Sequence, residues 1–265
     1  MPRFSIAAGP ALVALLACAP NAAAQDDTTP APAAERLRAA PIEASVPRSL
    51  WRALFTDTAR DLKRMPSRGT FDLISFGALS AVAAHNFDND VSRELSSSAE
   101  VRRSARAGAV LGSTPFQLGA AFATLAIGKM TDKPRVAHIG GDLIRAQLLA
   151  EAFAVGIKQI GRRDRPDGGG FSFPSGHTTV SFASAAVLQR HLGWKVGLPA
   201  YATAGYIAVS RVQMRRHYLS DVAFGAALGI LAGRTVTLGH AGPRLELAPQ
   251  ATPYGAALSF KWLGK

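Results

Sequence analysis

Between residues 71 and 236 the chain repeats one pattern: long uncharged stretches, rich in Ala, Gly, Val and Leu, each bounded by charge, Gly or Pro. Six such segments occur, at about 71–87, 105–129, 138–160, 178–191, 195–210 and 219–236. Their length suits helices, and no alternating strand-like run interrupts them. The expected body is therefore all-α, a helical bundle of about six core helices. In the last segment Gly225, Gly229 and Gly233 recur every fourth residue. That interval puts three positions without side chains on one helical face, where another helix can approach closely. Beyond the bundle, Leu245–Ala248 and Ala257–Trp262 alternate around Pro253-Tyr254-Gly255, which reads as a short C-terminal β-hairpin.

The N-terminal part reads differently. Arg3, the apolar stretch Ile6–Ala17 and the small residues Ala22-Ala23-Ala24 have the order of a secretory signal. Leu15-Leu16-Ala17-Cys18 also resembles an imperfect lipoprotein box, so lipidation at Cys18 is a second reading and an uncleaved anchor a third. From Asp26 to about Pro47 the chain is rich in Ala and Pro without apolar periodicity, as a tether would be. Leu50, Trp51, Leu54, Phe55 and Leu62, set among charged residues, mark an amphipathic surface helix over about 50–65.

Composition narrows the class. The 265 residues are 48% hydrophobic, with 30 Lys and Arg against 18 Asp and Glu, a formal charge of +12. That excludes a mainly disordered chain and calls for a negatively charged partner without naming it. Cys18 is the single cysteine, so the body holds no disulfide, cysteine nucleophile or thiolate metal site.

Three polar clusters interrupt the apolar pattern. Lys158 is followed after six residues by Arg165-Pro166, near the end of the third segment. Pro174-Ser175-Gly176-His177 precedes the fourth, where Ser175 can cap the helix and backbone N–H groups point toward an anion. Ser210-Arg211, His217 and Asp221 lie between the fifth and sixth. At a spacing of four, His217 and Asp221 share a helical face, and the carboxylate can hold one imidazole nitrogen. In an up-and-down bundle all three clusters fall at one end. Each alone has an ordinary explanation as solvated helix-end charge or a surface pair; their joint occurrence does not. Three cations, a helix N-terminus and two histidines suit phosphoryl transfer. Lys158, Arg165 and Arg211 neutralise the equatorial oxygens, His217 attacks phosphorus, and His177 protonates the leaving oxygen.

These residues carry a resemblance. Lys158-x6-Arg165-Pro166, Pro174-Ser175-Gly176-His177 and Ser210-Arg211-x5-His217-x3-Asp221 together resemble the signature of the type 2 phosphatidic acid phosphatase superfamily, whose members include lipid phosphatases, soluble acid phosphatases and vanadate-dependent haloperoxidases. The resemblance implies a metal-independent phosphatase without a cofactor. His217 would be the nucleophile that forms a phosphohistidine, with Asp221 orienting it and His177 as general acid. Lys158, Arg165, Ser175, Gly176 and Arg211 would hold the phosphate. With the N-terminal pattern, the expected division is a signal, lipoprotein signal or anchor (1–24), a tether (25–48), a phosphatase-like helical domain (49–240) and a tail (241–265), the tether and tail lying outside the resemblance.

Ala107–Gly128 is the one uncharged run long enough to cross a bilayer; the runs after Asp72, His177, Lys195 and Asp221 are shorter. The loops at the end opposite the clusters carry Lys63, Arg64, Arg68, Lys129, Lys133, Arg135, Arg190 and Lys195. The positive-inside rule sets that end in the cytoplasm, which conflicts with an exported N-terminus followed by six spans. The expectation is an exported bundle on or partly in a membrane, acting outside the cytoplasm on a phosphate monoester or pyrophosphate of a lipid or lipid-linked substrate, with an integral inner-membrane protein as the alternative. Competing readings are a soluble periplasmic acid phosphatase, a haloperoxidase, and a non-enzymatic basic protein that binds membranes. Nucleic acid is not an expected partner, because no groove-reading motif accompanies the charge; oligomeric state stays open.

Overall fold

The computed structural model describes residues 53–96, 99–238, 244–252 and 255–263. The expected signal, the tether and Cys18 lie outside them. After a π-helical turn (Ala53–Asp57) come α1 (Thr58–Arg64), α2 (Arg68–His85), α3 (Asp88–Leu95), α4 (Ala99–Leu111), α5 (Thr114–Met130), α6 (Pro134–Gly161), α7 (Gly176–Leu192), α8 (Trp194–Gln213) and α9 (Leu219–Val236). Two antiparallel strands follow, β1 (Arg244–Thr252) and β2 (Gly255–Leu263), in a register that pairs Thr252 with Gly255. The all-α body and the terminal hairpin are as the sequence pattern predicts.

The centre of the bundle is α7, and composition explains why. From Thr178 to Val187 every residue is buried, and these are small Thr, Ser and Ala with Val and Phe, apolar or self-satisfying on every face. Thr179, Ser181 and Ser184 return their hydroxyls to the carbonyls of Ser175, His177 and Val180, so the hydroxyls add no unmet polarity. On one side α7 packs with α5, α6 and α9 around Ile144, Leu149, Val180, Val187 and Val236. On another it packs with α8 and α9 around Phe182, Tyr201, Val212 and Val222.

The glycine face of α9 makes the close approach its spacing predicts. A Cβ on Gly229 would lie 2.2 Å from the Thr179 carbonyl oxygen, one on Gly233 2.6 Å from that of Ala183, and one on Gly225 3.0 Å from that of Ser175. The α5–α6 pair is joined as tightly. Cβ atoms on Gly128 and Gly140 would come within 2.2 and 2.3 Å of the backbone nitrogens of Ala137 and Leu125.

Three expectations are corrected. The segment 105–129 is not one helix: it breaks at Gly112-Ser113 into α4 and α5, bent by 48°. Pro115 sits in the first turn of α5, and a side chain at Gly112 would strike Ile207 at 2.3 Å, so the break lets α4 lie against α8. The run long enough to span a membrane is consequently bent. Among the described helices α9 alone is straight, long and apolar enough to cross a bilayer, although its uncharged run looked too short, and 67% of it is buried in the bundle. The third correction is the helix expected over about 50–65, whose described part divides into the π-helical turn and α1, with Leu54 packed against the core. Phe55 and Leu62 are exposed, whereas Asp61 is buried against Arg145 of α6.

Glycine at 229 is a steric requirement. Gly229→Ala should lower stability by about 1–3 kcal/mol in thermal or chemical unfolding. Gly205→Ala, a helical site with nothing within 4 Å of the added carbon, should be neutral or stabilising by up to about 1 kcal/mol.

Candidate active site

All three clusters meet at one end of the bundle. α6 ends at Gly161, where Arg162 adopts φ 40° and turns the chain out of the helix. The following loop folds back along the helix end. Lys158 Nζ donates to the carbonyls of Phe171 and Pro174 at 2.8 and 2.5 Å, and the Ser172 N–H donates to the Arg163 carbonyl at 2.7 Å. A cis peptide joins Phe173 to Pro174, and α7 begins at Gly176. The glycine crossing then brings α9 alongside, close enough for the Ser175 N–H to donate to the Asp221 carbonyl at 3.1 Å.

His217 is buried, 4% exposed. It does not share a helix with Asp221, as their spacing led us to expect, because α9 starts at Leu219 and His217 lies in the preceding turn. Its Nδ1 is 2.7 Å from the Ser172 carbonyl and 3.7 Å from Asp221 Oδ2. The first distance is a hydrogen bond and the second is electrostatic contact only. A carbonyl can only accept, so Nδ1 carries the proton and Nε2 keeps its lone pair. Burial pushes the His217 pKa down, and Lys158 and Arg211 add to this against the opposing pull of Asp221. The ring is therefore neutral at neutral pH.

Asp221 is fully buried and richly bonded. Arg163 Nη1 donates to Oδ1 at 2.7 Å. The Tyr218 N–H donates to Oδ2 at 2.8 Å, and the Ser172 hydroxyl donates to the same oxygen. Burial alone would raise its pKa, but His217, Ser172, Tyr218 and Arg163 outweigh that and hold it below the ordinary carboxylate value.

The remaining predicted residues surround this pair. His177, in the first turn of α7, is held near pKa 4 by burial, then by Arg211, His217 and Lys158. Lys158 is lowered to about 8 by burial and by Arg165. Arg211 is lowered to about 10 by burial, Arg216 and Arg165. The Nε atoms of Arg165 and Arg211 are buried without a hydrogen-bond partner, an arrangement that an anionic acceptor would satisfy. Ser175 occupies the N-cap position of α7, but its hydroxyl makes no cap bond and instead accepts from Thr178 at 2.9 Å. At Gly176 the nearest atoms to an added Cβ are the Glu151 carboxylate oxygens, at 3.9 and 4.0 Å. Packing alone thus does not demand glycine at the helix start, where its bare backbone leaves room for an anion.

Three residues that sequence reasoning passed over hold the site together. Ser172 binds His217 through its carbonyl and Asp221 through its hydroxyl. Arg163 bridges Asp221 to Asp88 of α3 with bonds of 2.7 and 2.8 Å and lies 4.2 Å over the Tyr218 ring. Asp88 also accepts from the backbone and hydroxyl of Ser220, at 2.9 and 2.6 Å. No sequence signal marked Asp88, since α3 is short and mostly polar, with Val91 and Leu95 as its apolar face, and nothing sets this carboxylate apart from its acidic neighbours. The open depression of about 540 Å³ beside this network, lined by Asn86, Arg93, Pro166 and Tyr218 among others, contains neither histidine.

Comparison with known proteins came to the same segment. Residues 157–242 match the PAP2 superfamily. The chain is 39% identical over 103 residues to lipid A 1-phosphatase of Porphyromonas gingivalis, covering 35% of this chain and 23% of that protein. It is also 39% identical over 98 residues to decaprenylphosphoryl-5-phosphoribose phosphatase of Mycobacterium tuberculosis, covering 33% of this chain and 54% of that protein. The match thus spans less than two thirds of either relative. In fold the chain is similar to a transmembrane PAP2 type phosphatidylglycerolphosphate phosphatase from Bacillus subtilis, with TM-score 0.56 and 22% identity over 64% of this chain and 94% of that one.

Arg163 neutralises two buried carboxylates, whereas Arg216 makes an exposed pair with Asp167. In chemical denaturation Arg163→Met should cost about 3–5 kcal/mol, and Arg216→Ala no more than about 1 kcal/mol.

Proposed function

We propose that the chain, whose residues 157–242 match the PAP2 superfamily, is a phosphatase acting through a phosphohistidine on a lipid or lipid-linked phosphate monoester or pyrophosphate outside the cytoplasm. The observation that carries this reading is the pairing of a buried neutral imidazole, its Nδ1 proton held by the Ser172 carbonyl, with the buried, unpartnered Nε atoms of Arg165 and Arg211. A nucleophile is ready and an anion is wanted in the same place.

The reaction follows from the groups present. Phosphate oxygens bind between Lys158, Arg165, Arg211, the Ser175 hydroxyl and the start of α7 at Gly176. His217 Nε2 attacks phosphorus and forms the N–P bond while the P–O bond to the leaving group breaks. His177 gives its proton to the departing oxygen. Water then attacks phosphorus, His177 takes a proton from it, the N–P bond breaks and phosphate is released. With its pKa near 4 in the empty site, His177 gains its proton only as the substrate's negative charge offsets the surrounding cations. Asp221 steadies the imidazolium-like charge on His217, with Ser172, Arg163 and Asp88 fixing it in turn.

A lipid substrate is supported by the names of the relatives and by the outer faces of the bundle. Phe71, Phe76, Leu79 and Val82 of α2 and Phe122, Ile127 and Met130 of α5 are all about half exposed or more, an apolar surface suited to contact with a membrane.

His217→Ala should reduce phosphate release by at least about a thousandfold while the fold persists. Vanadate should inhibit the wild type and chelators should leave its turnover intact. Substrates to compare are phosphatidate, an isoprenoid pyrophosphate, lipid A and a small aryl phosphate. Preference for the aryl compound without dependence on lipid or detergent would favour a soluble acid phosphatase. The pH profile gives a separate test. Lys158 loses its charge as pH rises through about 8, so kcat/KM should fall above that pH, and Lys158→Arg should move this limb upward. An unmoved limb would remove Lys158 from the phosphate site.

A further inference from the structure

The end of the bundle opposite the phosphate site holds a second polar cluster that the proposed reaction does not use. His138 and Asp142 stand four residues apart on α6 and therefore share a face. His191, in the last turn of α7, faces them. Asp142 Oδ2 lies 2.9 Å from His191 Nε2 and 3.6 Å from His138 Nε2, and one ligand atom from each of the three residues falls within 4.8 Å of the others. Asp142 is 2% exposed and the His191 side chain 7%, whereas His138 is 54% exposed.

We propose that His138, Asp142 and His191 form a binding site for a divalent transition-metal ion of the zinc type, which clamps α6 to α7 at the basic end of the bundle. Two imidazoles and one carboxylate are the donor set zinc prefers. Calcium and magnesium would need more oxygens. Bonds of about 2.0–2.2 Å in a tetrahedral arrangement put neighbouring ligand atoms roughly 3.3 Å apart. The two separations to Asp142 Oδ2 lie on either side of that value, while the two imidazoles are within 4.8 Å of each other, so closure draws the imidazoles together, and the solvent-facing His138 has room to move. Water completes the tetrahedron on its side.

The surroundings are those of a supported site. The other oxygen of Asp142, Oδ1, accepts from Arg145 Nη1 at 2.9 Å. Arg145 is itself held by Asp61 and by Thr58 Oγ1 at 3.2 Å. This fixes the carboxylate with Oδ2 turned toward both imidazoles, as outer partners do around metal ligands. One guanidinium stands against two buried carboxylates, so the cluster carries a net negative charge that a cation can offset. Of the basic residues at this end, Arg135 is directed at the His191 backbone carbonyl, at 2.7 Å, and Arg190 at the Thr237 carbonyl, at 3.3 Å. Without metal, the His191–Asp142 hydrogen bond fills the same space, and binding requires the His191 tautomer whose Nε2 carries no proton.

His138 precedes Lys158 by 20 residues of continuous helix, about 30 Å, which separates this site from the phosphate-binding end. The ion would therefore brace the fold without entering the reaction, and its loss would show as reduced stability with turnover retained.

The test uses untagged full-length protein stripped with a chelator, titrated with Zn²⁺ against a chromophoric competitor and followed in parallel by thermal unfolding. The wild type should bind one Zn²⁺ with a Tm that rises with Zn²⁺ concentration. Co²⁺ should give the intense visible bands of tetrahedral coordination. His138→Ala removes a half-exposed ligand at little risk to folding; it should weaken Zn²⁺ binding roughly tenfold or more and abolish the Tm rise, and His191→Gln should do the same. His217→Ala and His85→Ala should bind as the wild type does, which separates this site from the phosphate site and from the His85–Asp88 pair. If the wild type shows no Zn²⁺-dependent Tm shift, or His138→Ala binds Zn²⁺ as tightly as the wild type, the proposal fails and the cluster is a hydrogen-bonded brace alone.

Discussion

The arrangement depends on how closely α9 can lie against α7. Three glycines remove the side chains of α9 at its points of closest approach, and the carbonyls of Ser175, Thr179 and Ala183 occupy the space that Cβ atoms at 225, 229 and 233 would need. At that separation the backbones at the mouth of the seam bond directly, the Ser175 N–H to the Asp221 carbonyl. The start of α7, which carries His177, is thereby fixed against the start of α9, which carries Asp221 and follows His217. A wider crossing would leave the two histidines on separate helices without a shared cleft. Packing of small residues thus sets the distance on which the chemistry relies.

Much of this was legible in the sequence. Apolar segments bounded by charge located the helices, the interval of four glycines announced a close crossing, and the three polar clusters named the residues that meet. What escaped were features whose signal is tertiary. The break at Gly112-Ser113 is hidden in an uncharged run, because its cause is Ile207 of another helix. α3 packs on the core through Val91 and Leu95, but nothing in its sequence distinguishes Asp88, the carboxylate placed under Arg163 and Ser220, from the acidic residues beside it. Ser172 acts largely through its backbone carbonyl, which no residue-type pattern can reveal. The capping role expected of Ser175 also failed, because its hydroxyl is taken by Thr178, three residues on.

Charge has two addresses in the bundle. At the phosphate end, cations crowd together and depress one another's pKa values, a costly arrangement in the absence of an anion. At the other end, Arg145 joins α1 to α6 through Asp61 and Asp142, in addition to the apolar contact that Leu54 makes with the core. The first concentration is suited to a ligand. The second compensates itself and leaves a small negative remainder among its histidines.

The hydrogen bond from His217 Nδ1 to the Ser172 carbonyl has a consequence for how such a site can change over time. Its acceptor belongs to the main chain, so substitution at Ser172 can remove the hydroxyl on Asp221 but never the group that selects the imidazole tautomer. The tautomer that leaves Nε2 without a proton is protected from point mutation at residue 172 so long as the loop keeps its path. That path is kept by Lys158, which bonds the carbonyls on either side of Ser172, at Phe171 and Pro174. A lysine recognised for its charge is therefore also the peg that orients the neighbouring histidine, and replacing it would alter nucleophile geometry together with anion affinity.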